Sequence, residues 1–145
     1  MLDVLVADDH EVIRYGLTTL LSSAPDMRVV GVADNGADAV ELARRLHPDV
    51  VVMDLSMPVL DGISATEQVL KASPDTRVLV VSVFSQPDVV EAAIAAGAHG
   101  YLDKSVAAED VVDGIRFITQ GQRILPRRFR RPPGPDSGSE RGPRS

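Results

Sequence analysis

The sequence contains no cysteine and no tryptophan, and aromatic residues make up only 3% of its 145 residues. Without cysteine there is no disulfide framework, no thiolate zinc site and no cysteine nucleophile, so we expect an intracellular, cytoplasmic protein. No stretch of the sequence approaches the roughly 18 consecutive apolar residues that a membrane span requires. The chain starts directly with a strand-like segment, and we therefore expect neither a signal peptide nor a membrane partner.

Charge is divided unevenly along the chain. Residues 1–121 carry 8 Lys/Arg against 19 Asp/Glu, whereas residues 122–145 carry 7 Arg against 2 acids. The acidic part disfavours nucleic-acid binding and suits a cation site. The basic part is rich in Pro, Gly, Ser and Arg and has almost nothing apolar to bury, so we interpret it as a linker or disordered tail without a helix-turn-helix domain. Its arginine run at 127–131 leaves a nucleic-acid-binding arm as the alternative.

Apolar patterning in residues 1–121 predicts five strands that alternate with five helices. Residues 50–53 form a wholly apolar run, which is typical of a central parallel strand covered by helices on both faces. Helix starts are indicated at Asn35-Gly36, Asp61 and Pro87. The pattern favours an α/β fold with a doubly wound parallel sheet, with strands at residues 2–7, 27–33, 50–53, 77–82 and 99–103.

Four of the five predicted strands end on, or are followed by, polar groups capable of chemistry. In chain order these groups are Asp8, Asp9, Asp54, Ser82 and Lys104. Because the carboxyl ends of parallel strands lie at one edge of the sheet, we expect these side chains to converge there. A single Asp after a strand is explained equally well as a helix N-cap, and an isolated Ser or Lys indicates nothing. The prediction therefore depends on the whole set.

Three carboxylates brought together repel one another, by roughly 4 kcal/mol per pair at 4 Å and an effective dielectric constant near 20. Raised pKa values or a bound cation would relieve this repulsion. The set offers oxygen ligands, which favours Mg²⁺. A lysine and a hydroxyl beside a carboxylate and Mg²⁺ suit phosphoryl transfer to that carboxylate, so we predict covalent chemistry on Asp54.

These residues also resemble the receiver domain of bacterial two-component response regulators. The resemblance covers residues 1 to about 121 and rests on Asp8-Asp9, residues 54–62, Ser82 and residues 97–104. Residues 7–10 and the Ala-Gly-Ala-x-Gly-Tyr-Leu run are most similar to the NarL/FixJ branch, whose members usually carry a C-terminal LuxR-like helix-turn-helix domain. The implied fold is flavodoxin-like, (βα)5, with strand order 2-1-3-4-5.

The resemblance implies a role for each site residue. Asp54 would be the phosphoacceptor and would take a phosphoryl group from a sensor histidine kinase. Asp9, Asp54 and the backbone carbonyl of Ser56 would bind Mg²⁺, and Asp8 would act largely through water. Lys104 would pair with the phosphate. The protein would not be an enzyme in the usual sense, because it would catalyse only its own phosphorylation and dephosphorylation.

The resemblance further implies a switch that consists of Ser82 and Tyr101. Ser82 would move to the phosphate and Tyr101 would rotate inward behind it, although Tyr101 could also be an ordinary half-buried strand aromatic. Two positions depart from the family pattern: Ser105 follows Lys104 where the family often has proline, and Val83 is bulkier than the usual alanine. The output would be transcription, controlled through a DNA-binding domain missing from this chain. Homodimer formation on phosphorylation stays open.

Other classes of protein remain as alternatives. A stand-alone receiver without DNA-binding output would have the same site. A small Mg²⁺-dependent phosphohydrolase would also attack through an aspartate, but the haloacid-dehalogenase type requires Asp-x-Asp, and Asp54-Leu55-Ser56 lacks the second acid. A nucleotide- or cobalamin-binding domain is disfavoured because neither G-x-G-x-x-G after the first strand nor G-x-x-x-x-G-K-[ST] is present.

Overall fold

A computed structural model describes residues 1–57, 60–84, 86–105 and 108–125 of the chain. Strands and helices alternate through these ranges, as the apolar pattern predicts. The elements in chain order are β1 Leu2–Ala7, α1 Glu11–Ser23, β2 Met27–Ala33, α2 Gly36–Leu46, β3 Val50–Met53, α3 Gly62–Ala72, β4 Arg77–Ser82, α4 Pro87–Ala95, β5 Gly100–Asp103 and α5 Ala108–Thr119.

The five strands form one parallel sheet in the order β2-β1-β3-β4-β5. This order and the doubly wound α/β class are both as expected, so the fold prediction is confirmed. β3 lies at the centre and pairs with β1 from Val4↔Val50 to Ala7↔Met53. All four residues of β3 are buried, which explains why this strand has no polar residue until its end.

Helices cover both faces of the sheet and produce two apolar layers. Successive side chains of a strand point to opposite faces, so neighbouring residues of β3 belong to different layers. Val51 and Met53 pack with residues of α2, α3 and α4, and Val50 and Val52 pack with residues of α1 and α5. None of the helices in the described ranges is both long and apolar enough to cross a membrane.

The predicted helix starts are also observed. The Asn35 side chain accepts a hydrogen bond from the backbone N–H of Asp38, and the Asp61 side chain accepts from two backbone N–H groups in the first turn of α3. Pro87 is the first residue of α4. These caps satisfy N–H groups that have no partner inside the helix, which is why Asn and Asp mark helix starts in the sequence.

Ordered structure continues past residue 121, where the apolar pattern weakens. Ile124 forms an isolated parallel bridge with Gly100, and its carbonyl accepts a 2.8 Å hydrogen bond from the N–H of Tyr101. Gly100 and Gly114 leave room for the Ile124 side chain, which comes within 3.6 Å and 3.4 Å of the positions their Cβ atoms would take. The arginine run and the rest of residues 126–145 lie outside the described residues, as do Pro58 and Val59.

Candidate functional site

The predicted site residues meet at the carboxyl ends of the strands. Backbone hydrogen bonds extend the sheet one residue beyond β3 and β5: the N–H of Asp54 donates to the Ala7 carbonyl at 2.9 Å, and the N–H of Lys104 donates to the Ser82 carbonyl at 2.9 Å. The end of β3 is thereby joined to that of β1 and the end of β5 to that of β4, and β3 pairs with β4 as far as Met53↔Val80. This shared edge places the acids and the lysine in contact although they are far apart in sequence.

Three carboxylates and a histidine form the centre of the site. Asp8, Asp9, His10 and Asp54 each offer one ligand atom, and these atoms all lie within 4.8 Å of one another. Asp8 and Asp54 are buried, whereas the side chain of Asp9 is 34% exposed. The three acids thus lie together, as the sequence predicts, with two of them inside the protein and one at its surface.

Lys104 reaches into this cluster from β5. Its Nζ lies 3.0 Å from Asp8 Oδ2 and 3.4 Å from Asp54 Oδ2, and its side chain is only 6% exposed. A buried ammonium group requires nearby carboxylates, and here it has two. Lys104 is therefore a charge within the site and not a solvated surface lysine.

Asp54 has an unusual electrostatic environment. Burial, and after it the charge of Asp8, raise the pKa of its carboxyl group to about 6, against the opposing effect of Lys104. Within the described residues, Oδ1 accepts one long hydrogen bond of 3.4 Å, from the N–H of Ser56. The buried Oδ2 atom accepts no hydrogen bond of good geometry from these residues, although the Lys104 ammonium lies 3.4 Å away. A buried oxygen without a donor is a good position for a ligand or a reacting group.

The residues present fit a hard divalent cation. The cluster provides carboxylate oxygens from three residues, one of which is the Asp54 oxygen that lacks a hydrogen-bond donor. Mg²⁺ prefers such oxygen ligands and usually keeps several waters, so the exposed side of Asp9 suits it. Ser56 is an exposed residue of the loop that follows Asp54 and is linked to it through its N–H. That its carbonyl binds the metal stays a prediction.

Two further residues belong to this site but had no assigned role in the sequence. His10 Nδ1 lies 3.0 Å from Asp8 Oδ1, 3.2 Å from Asp9 Oδ1 and 3.1 Å from Lys104 Nζ. Arg14 Nη1 donates a 2.7 Å hydrogen bond to the Asp8 carbonyl. The available signals were the position of His10 directly after the acid pair and the four-residue spacing to Arg14, one helical turn later.

The two predicted switch residues meet at the backbone of Phe84. The Ser82 hydroxyl accepts a 3.0 Å hydrogen bond from the Phe84 N–H, and the Tyr101 hydroxyl donates to the Phe84 carbonyl. Both side chains are fully buried, and burial raises the pKa of the Tyr101 phenol. Tyr101 already points inward, so it is not the half-buried strand aromatic of the simpler interpretation. In the described residues, Ser82 makes no hydrogen bond with the carboxylates.

Close packing of α3 fixes the loop that carries Asp54. A Cβ atom on Gly62 would lie 2.2 Å from the Asp54 carbonyl oxygen and 2.6 Å from the Cα of Leu55. The Gly62 N–H donates to the Leu55 carbonyl at 3.0 Å. Only glycine permits this approach, so the start of α3 holds the backbone of Asp54 directly.

Comparison with known proteins points to one family. The family model described as the response regulator receiver domain matches residues 4–116. Response regulator GacA of Pseudomonas aeruginosa is 42% identical over 86% of this chain and 58% of its own length. Transcriptional regulatory protein LiaR of Bacillus subtilis is also 42% identical, over 86% of this chain and 59% of its own length. The chain thus spans less than two thirds of the length of these curated relatives.

Solved structures agree with this comparison. A LuxR-family two-component response regulator from Aurantimonas superposes with a TM-score of 0.83 and 31% identity, covering 89% of this chain and 92% of that one. The receiver domain of the response regulator NarL from Mycobacterium tuberculosis gives a TM-score of 0.80 and 36% identity, covering 83% of this chain and 98% of that one. The likeness therefore extends over the whole sheet and its helices.

Proposed function

Because this chain belongs to the response regulator receiver domain family, we propose that it is a phospho-accepting signalling domain in which Asp54 receives the phosphoryl group. The observation that carries this proposal is the Asp54 carboxylate. Its Oδ2 atom is buried, accepts no hydrogen bond from the described residues, and lies 3.4 Å from the Lys104 ammonium. An oxygen so placed keeps its lone pairs available for attack on phosphorus.

In the transfer step, an oxygen of Asp54 forms a bond to phosphorus while the bond between phosphorus and the donor breaks. The donor is the phosphohistidine of a sensor histidine kinase, and its imidazole nitrogen keeps the electron pair. Lys104 lies close enough to interact first with the negative charge of the carboxylate and then with that of the new phosphoryl oxygens. Its ammonium group would therefore stabilise the transfer. The domain would catalyse only its own phosphorylation and its own dephosphorylation, in which water attacks phosphorus, inorganic phosphate leaves and the Asp54 carboxylate is restored.

Asp9, Asp54 and the carbonyl of Ser56 would hold Mg²⁺, with Asp8 acting largely through water. When bound, Mg²⁺ would supply positive charge that offsets the charge on the phosphoryl oxygens. Asp8 contributes independently of the metal, because its carboxylate holds Lys104 at 3.0 Å beside Asp54. The hydrogen bond from the Arg14 side chain to the Asp8 backbone carbonyl fixes the turn that presents both acids.

Ser82 and Tyr101 would transmit the signal. An acyl phosphate on Asp54 would add a charge of roughly −1.5 to −2 and new acceptor oxygens. Ser82 would exchange its hydrogen bond with the Phe84 N–H for one to the phosphoryl group, and the Phe84 segment, which also accepts from Tyr101, would shift with it. The inward position of Tyr101 would therefore be favoured when the acceptor is phosphorylated.

Residues 1–121 would form the receiver domain in the cytoplasm, and residues 122–145 would form the linker. LiaR, one of the relatives, is named a transcriptional regulatory protein, and its length exceeds that of this chain. The output would accordingly be transcription, through a DNA-binding domain that this chain does not include, and dimerisation on phosphorylation would be one means of control.

The test is incubation with acetyl phosphate and Mg²⁺, followed by intact mass measurement. We expect one adduct with the mass of one phosphoryl group, which is lost in Asp54→Ala and in the presence of EDTA. The matched control is Asp75→Asn, which changes an exposed acid in the loop before β4 and should leave the adduct unchanged. An adduct that persists in Asp54→Ala would contradict the assignment, and catalytic release of phosphate from diverse monoesters would indicate a phosphohydrolase instead.

A further inference from the structure

The imidazole of His10 points into the acidic cluster instead of serving the helix that it precedes. His10 is the N-cap residue of α1, but its side chain makes no capping hydrogen bond. Its backbone N–H donates to Asp8 Oδ1 at 2.8 Å, which holds the turn, and its Nδ1 atom faces the carboxylates. The ring is 54% exposed, so only one of its edges is committed to the site.

The distances around Nδ1 are those of neighbouring ligands on one ion. Adjacent ligands of an octahedral ion with bonds of about 2.1 Å lie about 3.0 Å apart. Nδ1 lies 3.2 Å from Asp9 Oδ1, which is a direct ligand in the proposed site, and 3.0 Å from Asp8 Oδ1, which would reach the ion through water. It lies 3.8 Å from Asp54 Oδ2, the buried oxygen that accepts no hydrogen bond from the described residues. His10 Nδ1 and the three carboxylate oxygens can therefore all face a common centre.

Proton placement gives an independent reason to put a cation there. Nδ1 lies 3.1 Å from the Lys104 ammonium, which can only donate, and 3.0 Å from a carboxylate oxygen of Asp8, which can only accept. To accept a hydrogen bond from the ammonium, Nδ1 needs a free lone pair, and to donate one to the carboxylate it needs a proton. One ring nitrogen cannot have both. With a metal ion in the cluster, the lone pairs of Nδ1 and of the carboxylate oxygen are directed at the same positive charge, and Lys104 keeps Asp8 Oδ2, at 3.0 Å, as its acceptor.

We propose that His10 Nδ1 is a ligand of the metal site and makes it prefer divalent transition metals such as Mn²⁺ over Mg²⁺. The inference rests on the metal site of the proposed function and adds a nitrogen ligand to it. Imidazole suits transition metals, whereas Mg²⁺ favours an all-oxygen shell. Mn²⁺ takes oxygen ligands as Mg²⁺ does but belongs to the transition-metal series, so a histidine beside the acids stabilises the Mn²⁺ complex more than the Mg²⁺ complex.

The test compares Mg²⁺ and Mn²⁺ affinities, measured by calorimetry, in the wild-type chain, His10→Asn and His47→Asn. Asparagine is a good N-cap, so His10→Asn preserves the start of α1 and replaces the nitrogen ligand with an amide. His47 is the matched control: it is an exposed histidine at the C-cap of α2, with a φ of 45° that asparagine tolerates. The second readout is electron spin echo modulation of bound Mn²⁺, which detects a coordinated imidazole nitrogen.

The wild-type chain and His47→Asn should bind Mn²⁺ more tightly than Mg²⁺ and show nitrogen modulation. In His10→Asn the modulation should vanish and the preference for Mn²⁺ should fall by about tenfold, mainly through weaker Mn²⁺ binding. An unchanged preference, or no nitrogen signal in the wild-type chain, would overturn the role of His10 while leaving the metal site intact. Failure of the wild-type chain to bind either ion would overturn the metal site itself, and the inference with it.

Discussion

Lys104 lies closer to Asp8 than to Asp54, with Nζ at 3.0 Å from Asp8 Oδ2 and 3.4 Å from Asp54 Oδ2. The lysine therefore forms its shorter ion pair with Asp8 and lies farther from Asp54, the proposed phosphoacceptor. In this arrangement one cation offsets two buried carboxylates, and a change at any of the three residues alters the balance of the other two.

Lys104→Met should destabilise the protein, because it leaves Asp8 and Asp54 buried beside each other without the ammonium group. Loss of one partner from a buried ion pair costs about 3 kcal/mol. We expect a decrease of that size in the free energy of unfolding, measured by urea denaturation in EDTA at neutral pH. Lys71→Met, at an exposed position in the last turn of α3, is the control and should have almost no effect. Equal effects of the two substitutions would show that Lys104 is not structurally paired.

Asp54→Asn should stabilise the metal-free protein. Burial and the nearby Asp8 both disfavour the charged form of Asp54, and the described residues supply no hydrogen bond to its Oδ2 atom. A neutral amide of the same shape avoids these costs, so we expect a gain of about 1–3 kcal/mol in the free energy of unfolding without metal. Added Mg²⁺ should raise the melting temperature of the wild-type chain much more than that of Asp54→Asn.

The double variant Asp54→Asn/Lys104→Met gives a sharper measurement. With Asp54 neutral, the loss of the ammonium leaves only one buried charge in place of two. Lys104→Met should therefore lower the free energy of unfolding clearly less in the Asp54→Asn background than in the wild-type background. The difference between the two losses is the coupling energy between Asp54 and Lys104. Strict additivity of the two single substitutions would contradict the direct interaction that the 3.4 Å distance indicates.

Much of the fold was predictable because its signals are local. The unbroken apolar run identifies β3, and the carboxylate directly after it marks the edge of the sheet where the site lies. Asn35 and Asp61 mark helix starts through hydrogen bonds to residues two or three positions away. The convergence of Asp8, Asp54 and Lys104 followed from the parallel sheet itself, since parallel strands share one carboxyl edge.

Other features had no local signal. The orientation of the His10 ring depends on Lys104, which is 94 residues away. The bridge from Ile124 to Gly100 depends on the space that two glycines leave at the edge of the sheet. The inward state of Tyr101 depends on the backbone of Phe84, 17 residues earlier. Each of these is a tertiary contact between distant parts of the chain, which neither periodicity nor residue spacing encodes.

Two glycines give a matched test of close packing around the acceptor. Gly62→Ala would place a Cβ atom 2.2 Å from the Asp54 carbonyl oxygen, so the backbone of the acceptor loop must shift. We expect a loss of about 3 kcal/mol in the free energy of unfolding and slower phosphorylation by acetyl phosphate. Gly16→Ala adds a Cβ atom inside α1 with nothing within 4 Å, and should stabilise the protein by about 0.5–1 kcal/mol. The prediction is wrong if Gly62→Ala leaves both properties unchanged.

The ion pair between Asp26 and Arg116 should make stability depend on pH at the acid end. Arg116 donates two hydrogen bonds to Asp26, of 2.9 Å and 3.0 Å, and they hold the pKa of that carboxyl below its ordinary value of 3.8. The folded state thus binds protons less readily than the unfolded state at this carboxyl. Its contribution to stability is therefore present above about pH 4 and lost as the pH falls through the lowered pKa.

Asp26→Asn removes the charge of Asp26, so comparison with the wild-type chain isolates the contribution of the ion pair to stability. The wild-type chain should be slightly more stable than Asp26→Asn at pH 7, and the difference should shrink below about pH 4 and in high salt, because the pair is partly exposed. Urea midpoints at pH 7, 5 and 3.5 measure the difference. Asp75→Asn, at an exposed acid without an ion pair among the described residues, is the control and should give no such trend. A difference between wild type and Asp26→Asn that stayed constant down to pH 3.5 would mean that the pair acts through packing and not through charge.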